Sequence, residues 1–155
     1  MNKWIVVLVV LGVAFVALRL AVPRLSSSVA SGPLQRGGTR ALADCPDSPN
    51  CQSSDASRET QRVAPFPMRG TTAETVEALV ALIESRDGAA VVTREADYVH
   101  ATFTTSLMGY TDDVEFLVDE TTDTVRLRSA SRLGKSDLGA NARRVEALRE
   151  AWTAR

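Results

Sequence analysis

Apolar positions along this chain change their period three times. Trp4 to Val22 is an apolar run interrupted only by Arg19, long enough at about 1.5 Å per residue to cross a bilayer. Ser26 to Arg40 has few apolar residues and reads as a flexible tether whose arginines either stay solvated or lie against anionic lipid headgroups. Beyond it, Val76, Leu79, Val80 and Ile83 recur at i, i+3, i+4 and i+7, one stripe of a helix over about Thr72 to Arg86. Thr71 and Glu74 have capping-box spacing, and Gly88 reads as the C-terminal cap.

Strand patterns follow. Ala90 to Thr93 and Tyr98 to Thr105 are rich in β-branched and aromatic residues, with a turn at Glu95-Ala96-Asp97. Val114, Phe116 and Val118 alternate with polar residues, as do Val125 and Leu127. A hairpin centred on Thr121-Thr122 would pair Val118 with Val125 and Phe116 with Leu127, and would set Glu115 opposite Arg128. A last helix is predicted from about Asp137 to Ala151, capped by Ser136 or Asp137, with Leu138, Ala142, Val145, Leu148 and Trp152 on one face. Phe66, in an irregular extended stretch, reads as an anchor onto the core.

The predicted fold class is α+β: a four-stranded, mostly antiparallel sheet with two helices packed on one face, preceded by an N-terminal transmembrane helix. The organisation is an anchor or signal over 1–25, a linker over 26–41 and a globular domain over 42–155.

Charge sharpens this division. The first 40 residues hold Lys3, Arg19, Arg24, Arg36 and Arg40 and no acid, so all 19 acidic residues lie in the rest. The globular part is therefore net acidic and a poor match to nucleic acid. A membrane partner is expected through residues 4–22, as an uncleaved anchor or a cleaved signal with Ser28-Val29-Ala30 as the cleavage site. Flanking positive charge mildly favours the C-terminal side in the cytoplasm. The lone pair Cys45 and Cys51, around two prolines and Asn50, reads instead as a structural disulfide of an exported domain. With only His100 beside these cysteines, the usual zinc-ligand sets are unfilled, and neither a metal nor a cofactor is expected.

The candidate chemistry gathers where the last strand leaves the sheet, Arg126 to Asn141. Asp112 would face Ser131, with Asp113, Arg128 and Arg132 close by. One reading is an ion-pair network that pins the corner. The other is an anion site, in which Ser129, Ser131, Arg132, Lys135 and the amides at Ser136 and Asp137 surround a phosphate or carboxylate. As adjacent strand residues, Asp112 and Asp113 point to opposite faces, which weakens a shared acid–base role. His100 reads as a strand histidine. No nucleophile elbow or phosphate loop is present.

Three motifs in order also resemble a known family: Cys45-Pro46-Asp47-Ser48-Pro49-Asn50-Cys51 with Ser53-Ser54; Asp112-Asp113-Val114-Glu115-Phe116; and Arg128-Ser129-Ala130-Ser131-Arg132 with Gly134, Ser136-Asp137, Gly139 and Asn141. They resemble the domain-of-unknown-function family 1499 over about residues 42 to 152. Gln52 and Ala142 depart from its pattern, leaving Arg143 or Arg144 for the arginine that follows the asparagine. The resemblance implies a bacterial envelope or plastid lumenal setting and hence a single-pass protein with its domain on the extracytoplasmic side. The expected function is a non-enzymatic binding or interaction module for a small anionic ligand or an envelope protein. The alternatives are an enzyme acting on a small anionic or envelope substrate, and a structural subunit of a membrane complex.

Overall fold

The computed structural model describes residues 2–154. Helix α1 spans Lys3–Leu25, and the Asn2 side chain accepts from the Trp4 amide at its start. Over Lys3–Val22 it is long and apolar enough to cross a membrane, and the rest of the chain leaves it almost wholly unburied.

The segment expected as a tether carries structure. Leu34–Arg36 (β1) and Thr39–Ala41 (β2) form an antiparallel hairpin. Gly37 and Gly38 both have positive φ, as a tight primed turn requires. Arg40 pairs with Glu95 and Asp97, so this arginine is committed to the domain. The Arg36 side chain, also expected near solvent or lipid, lies outside the described residues.

The main sheet has six strands, not four. Cys51–Ser53 (β3) and Phe66–Pro67 (β4) join Ala89–Arg94 (β5), Tyr98–Thr104 (β6), Thr111–Asp119 (β7) and Thr124–Ser131 (β8). The order is β3-β8-β7-β6-β5, with β4 also on β8, and every pairing is antiparallel. The two added strands are too short to show alternation. Their pairing comes from the edge they cover: β3 lies along Arg128 to Ala130, and β4 along Thr124 and Val125. Together they occupy backbone groups that an edge strand would leave open. The predicted hairpin register holds, with Val118 opposite Val125, Phe116 opposite Leu127 and Glu115 opposite Arg128.

Helices α2 (Thr72–Glu84) and α3 (Ala140–Thr153) pack on the same sheet face, into one core with Val99, Ala101, Val114, Phe116, Val118, Val125 and Leu127. The Thr71–Glu74 capping box is present. Helix α2 ends at Glu84, before Gly88, and buries Leu82 more fully than Val80. Gly88 instead serves the turn into β5. Its φ is +71°, and a Cβ there would meet the Thr104 carbonyl oxygen at 2.4 Å.

The start of α3 also differs from expectation. It begins three residues later than Asp137, because Leu138 and Gly139 both take positive φ. Leu138 is therefore not on the buried face but 87% exposed, and Ala142 also points to solvent; Asn141, Val145, Leu148 and Trp152 are buried. Phe66 anchors as expected, with its ring 6.2 Å from Phe116 and 6.1 Å from Trp152. Phe66→Ala should lower unfolding free energy by about 3–5 kcal/mol in urea titration of the full chain in detergent.

Candidate functional site

Three of the four acids on strand β7, Asp112, Asp113 and Glu115, are buried. Alternation sends Asp112 to the helix-covered face and the other two to the opposite face. The expected corner is thus two networks, back to back.

On the helix side the hub is Asn141, fully buried at the start of α3. Its Nδ2 lies within 3.0 Å of the Asn50 carbonyl oxygen, Ser131 Oγ and Asp137 Oδ2. Its Oδ1 accepts from Ser129 Oγ and from Arg144, both at 2.6 Å. Arg144 also reaches Asp112 Oδ2 at 2.5 Å, whereas Arg143 donates to the Leu138 carbonyl at 2.8 Å, so of these two arginines it is Arg144 that joins this network. The N-cap residue is Gly139, not Ser136 or Asp137 as expected, but the Asp137 carboxylate still serves the helix start, accepting from the amides of Gly139 at 2.9 Å and Asn141 at 2.7 Å. Burial raises its pKa, but the amides of Asn141 and Gly139 outweigh this and hold the carboxyl below its ordinary value. The cysteines form the expected Cys45–Cys51 disulfide. Its loop docks here: Asn50 donates to the Gly134 carbonyl at 2.7 Å and accepts from the Ser131 amide at 3.0 Å.

On the opposite face Asp113 and Glu115 are 0% exposed. Arg132 grips Asp113 with two hydrogen bonds of 3.0 and 2.8 Å, and His100 Nε2 approaches the same carboxylate at 2.7 Å. Arg128 and Tyr98 both donate to Glu115, at 3.0 and 2.8 Å. The segment after α1 completes both sets. The Val29 amide donates to Asp113 at 2.7 Å, Ser28 Oγ donates to it at 3.1 Å, and the Gly32 amide donates to Glu115 at 3.2 Å. Arg128 in turn donates to the Val29 carbonyl at 3.2 Å, while its Nε is buried without a partner among the described residues.

These contacts perturb the acids. Burial alone would raise Asp113, but hydrogen bonds from His100, Arg132 and the Val29 amide, with the Arg132 charge, hold it far below the usual carboxylate range. Tyr98 moves strongly up, first through burial and then through the neighbouring Glu115 charge.

One cavity opens beside the helix-side network. It has a volume of about 530 Å³, inside the ordinary range for ligand sites. Its polar lining is Thr105, Thr111 and four candidate residues, Asp112, Ser131, Ser136 and Asp137, and its apolar lining includes Val22, Tyr110, Leu133 and Leu138. Of the nine candidate residues, those four line the cavity. Ser129 and Asn141 lie buried behind it, and Asp113, Arg128 and Arg132 belong to the other face. Among the described residues, no group of three His, Cys, Asp or Glu is placed to hold a metal ion.

Sequence reasoning missed Tyr98, His100 and the Ser28–Gly32 strap. The sequence signalled that charged face through the pairing of Glu115 with Arg128 and through Asp113 and Arg132 close by, whereas the strap offers no side-chain pattern because it binds mainly through its backbone.

The profile of the family described as "Protein of unknown function (DUF1499)" matches residues 41–152. No curated protein and no solved structure matches the chain.

Asn141→Ala leaves the buried groups of Ser129, Arg144 and Asn50 short of a partner, and should cost roughly 1–3 kcal/mol in chemical denaturation. For Asp113 the folded pKa lies below the ordinary 3.8, so its contribution is complete above that value and is lost as pH falls toward the folded pKa. Melting temperature should stay level down to about pH 5 and then fall, and Asp113→Asn should flatten that fall.

Proposed function

We propose that this chain, which belongs to the DUF1499 family, is a membrane-anchored binding module without catalytic activity, its domain on the extracytoplasmic side. The observation that carries this reading is where the exposed apolar side chains gather. Apart from those of α1 and Val92, the large exposed ones are Leu107, Tyr110, Leu133 and Leu138. All four stand on the loops after β6 and β8, at one end of the sheet, since Thr104 pairs with Thr111 and Asp112 with Ser131. Helix α1 meets that end: Arg19 donates to the Leu107 carbonyl at 3.1 Å, and Val22 lines the cavity. An anchor entering the bilayer there would set the four side chains at the membrane surface, where an apolar patch is partnered rather than wasted.

The Cys45–Cys51 disulfide supports an oxidising compartment. A binding role is favoured over catalysis by how the reactive groups are engaged. Asp112 is paired with Arg144, Asp113 with Arg132 and His100, and Glu115 with Arg128. A general acid or base needs a proton exchangeable near working pH, and Asp113 is held far from that range. The same pairs bear on the ligand. The arginines of the corner each face a carboxylate, so the cavity beside them suits a neutral or cationic group better than an anion.

Two measurements test the reading. In alkaline carbonate extraction of cell membranes the full chain should stay in the pellet. A membrane-impermeant protease applied to intact spheroplasts should remove the domain. Recovery of the chain in the carbonate supernatant, or a domain protected until the membrane is permeabilised, would overturn it.

A further inference from the structure

We propose that the cavity between α1 and the loops after β6 and β8 binds a membrane phospholipid by its primary-amine headgroup. The inference rests on the membrane-anchored reading above and assigns the ligand class to that site.

The lining sets the chemistry. It includes the carboxylates of Asp112 and Asp137 and the hydroxyls of Ser131 and Ser136, and no Lys, Arg or His. Arg144 takes Asp112 Oδ2 from the helix side, and Asp112 Oδ1 has no hydrogen-bond partner among the described residues. Ser131 is the cross-strand partner of Asp112 and lines the same cavity, its Oγ accepting from Asn141 Nδ2 at 2.9 Å. A primary ammonium donates three hydrogen bonds and would be held by such oxygens in charge-assisted contacts. A quaternary ammonium has no hydrogen to donate, and a phosphate would meet carboxylates. Burial of Asp112 strengthens the preference, because a carboxylate out of bulk water interacts more strongly with a neighbouring cation.

The rim suits the remainder of such a lipid. Val22, Tyr110, Leu133 and Leu138 form its apolar side, facing the membrane on the reading above. Lys135 stands exposed between two lining residues, and Arg19 lies against the loop that carries Tyr110. These two cations are placed for the phosphodiester, outside the acidic floor. The arrangement is thus ammonium inward, phosphate at the rim and acyl chains toward the bilayer.

The experiment uses the full chain in detergent micelles with equal amounts of phosphatidylethanolamine, phosphatidylcholine and phosphatidylglycerol, and reads retained lipid by native mass spectrometry. The ethanolamine lipid should be retained about tenfold over the choline lipid, which differs at the amine alone. Asp112→Asn should bring that ratio toward one. Because this change removes a partner of Arg144 and risks the fold, Leu138→Glu is measured in parallel. Leu138 is 87% exposed. A charge there should reduce retention of the ethanolamine lipid several-fold without moving the melting temperature. Equal retention of the ethanolamine and choline lipids, preference for the glycerol lipid, or unchanged retention in folded Leu138→Glu would overturn the proposal. Free phosphoethanolamine that raises the melting temperature as much as the lipid would overturn the lipid assignment in favour of a soluble amine. A chain that carbonate extracts from membranes yet still selects the ethanolamine lipid would sink the anchor and uphold the site.

Discussion

Three carboxylates buried on one central strand set the terms for the rest of this fold. Asp112, Asp113 and Glu115 lie on β7 between its two neighbours, where they are largely removed from bulk water. A charge taken out of water costs several kcal/mol unless partners replace the lost hydration. Each acid has such a partner set, and each set recruits a different part of the chain. Arg144 on α3 answers Asp112; Arg132 and His100 answer Asp113; Arg128 and Tyr98 answer Glu115. Removing one partner leaves a buried charge short of compensation, so sheet, last helix and N-terminal strap are coupled through β7.

The strap is the least conventional of these partners. Residues 28–32 are small and offer the sheet mainly amides and a carbonyl. Backbone groups that would otherwise need water instead neutralise part of two carboxylates. The consequence is mechanical: the chain leaving α1 is held on the polar face rather than hanging free. That hold keeps the loops after β6 and β8 beside the end of α1, which is also where the cavity opens.

The disulfide loop plays the matching role on the helix face. Asn50 receives hydrogen bonds from Ser131 and Asn141 and gives one to Gly134, joining the cysteine motif to the Ser/Arg/Gly motif 80 or so residues later. Motifs distant in sequence thus belong to one corner. The arrangement accounts physically for residues that otherwise read as a candidate ligand shell: Ser129 and Asn141 orient Arg144, and Asp137 occupies the amides at the helix start.

Local rules were enough for much of this protein. Period and capping residues determined α1, α2 and the four longer strands, because each rests on apolar spacing within a few residues. The hairpin register followed too, since a one-residue slip would have turned Phe116 and Leu127 away from the core. The pairing of Glu115 with Arg128 came with that register. Only the tertiary structure decided the two short strands β3 and β4, the late start of α3 at Ala140, the pairing of Arg144 with Asp112 and the closure of the polar face by residues 28–32. The physical reason is common to all four. Strands of two or three residues, a left-handed Leu138-Gly139 turn, one of two adjacent arginines and a backbone strap have no periodic side-chain signature. Each is fixed by what it meets across the fold: an open strand edge, the Asn50 and Asp137 acceptors, or a carboxylate already buried.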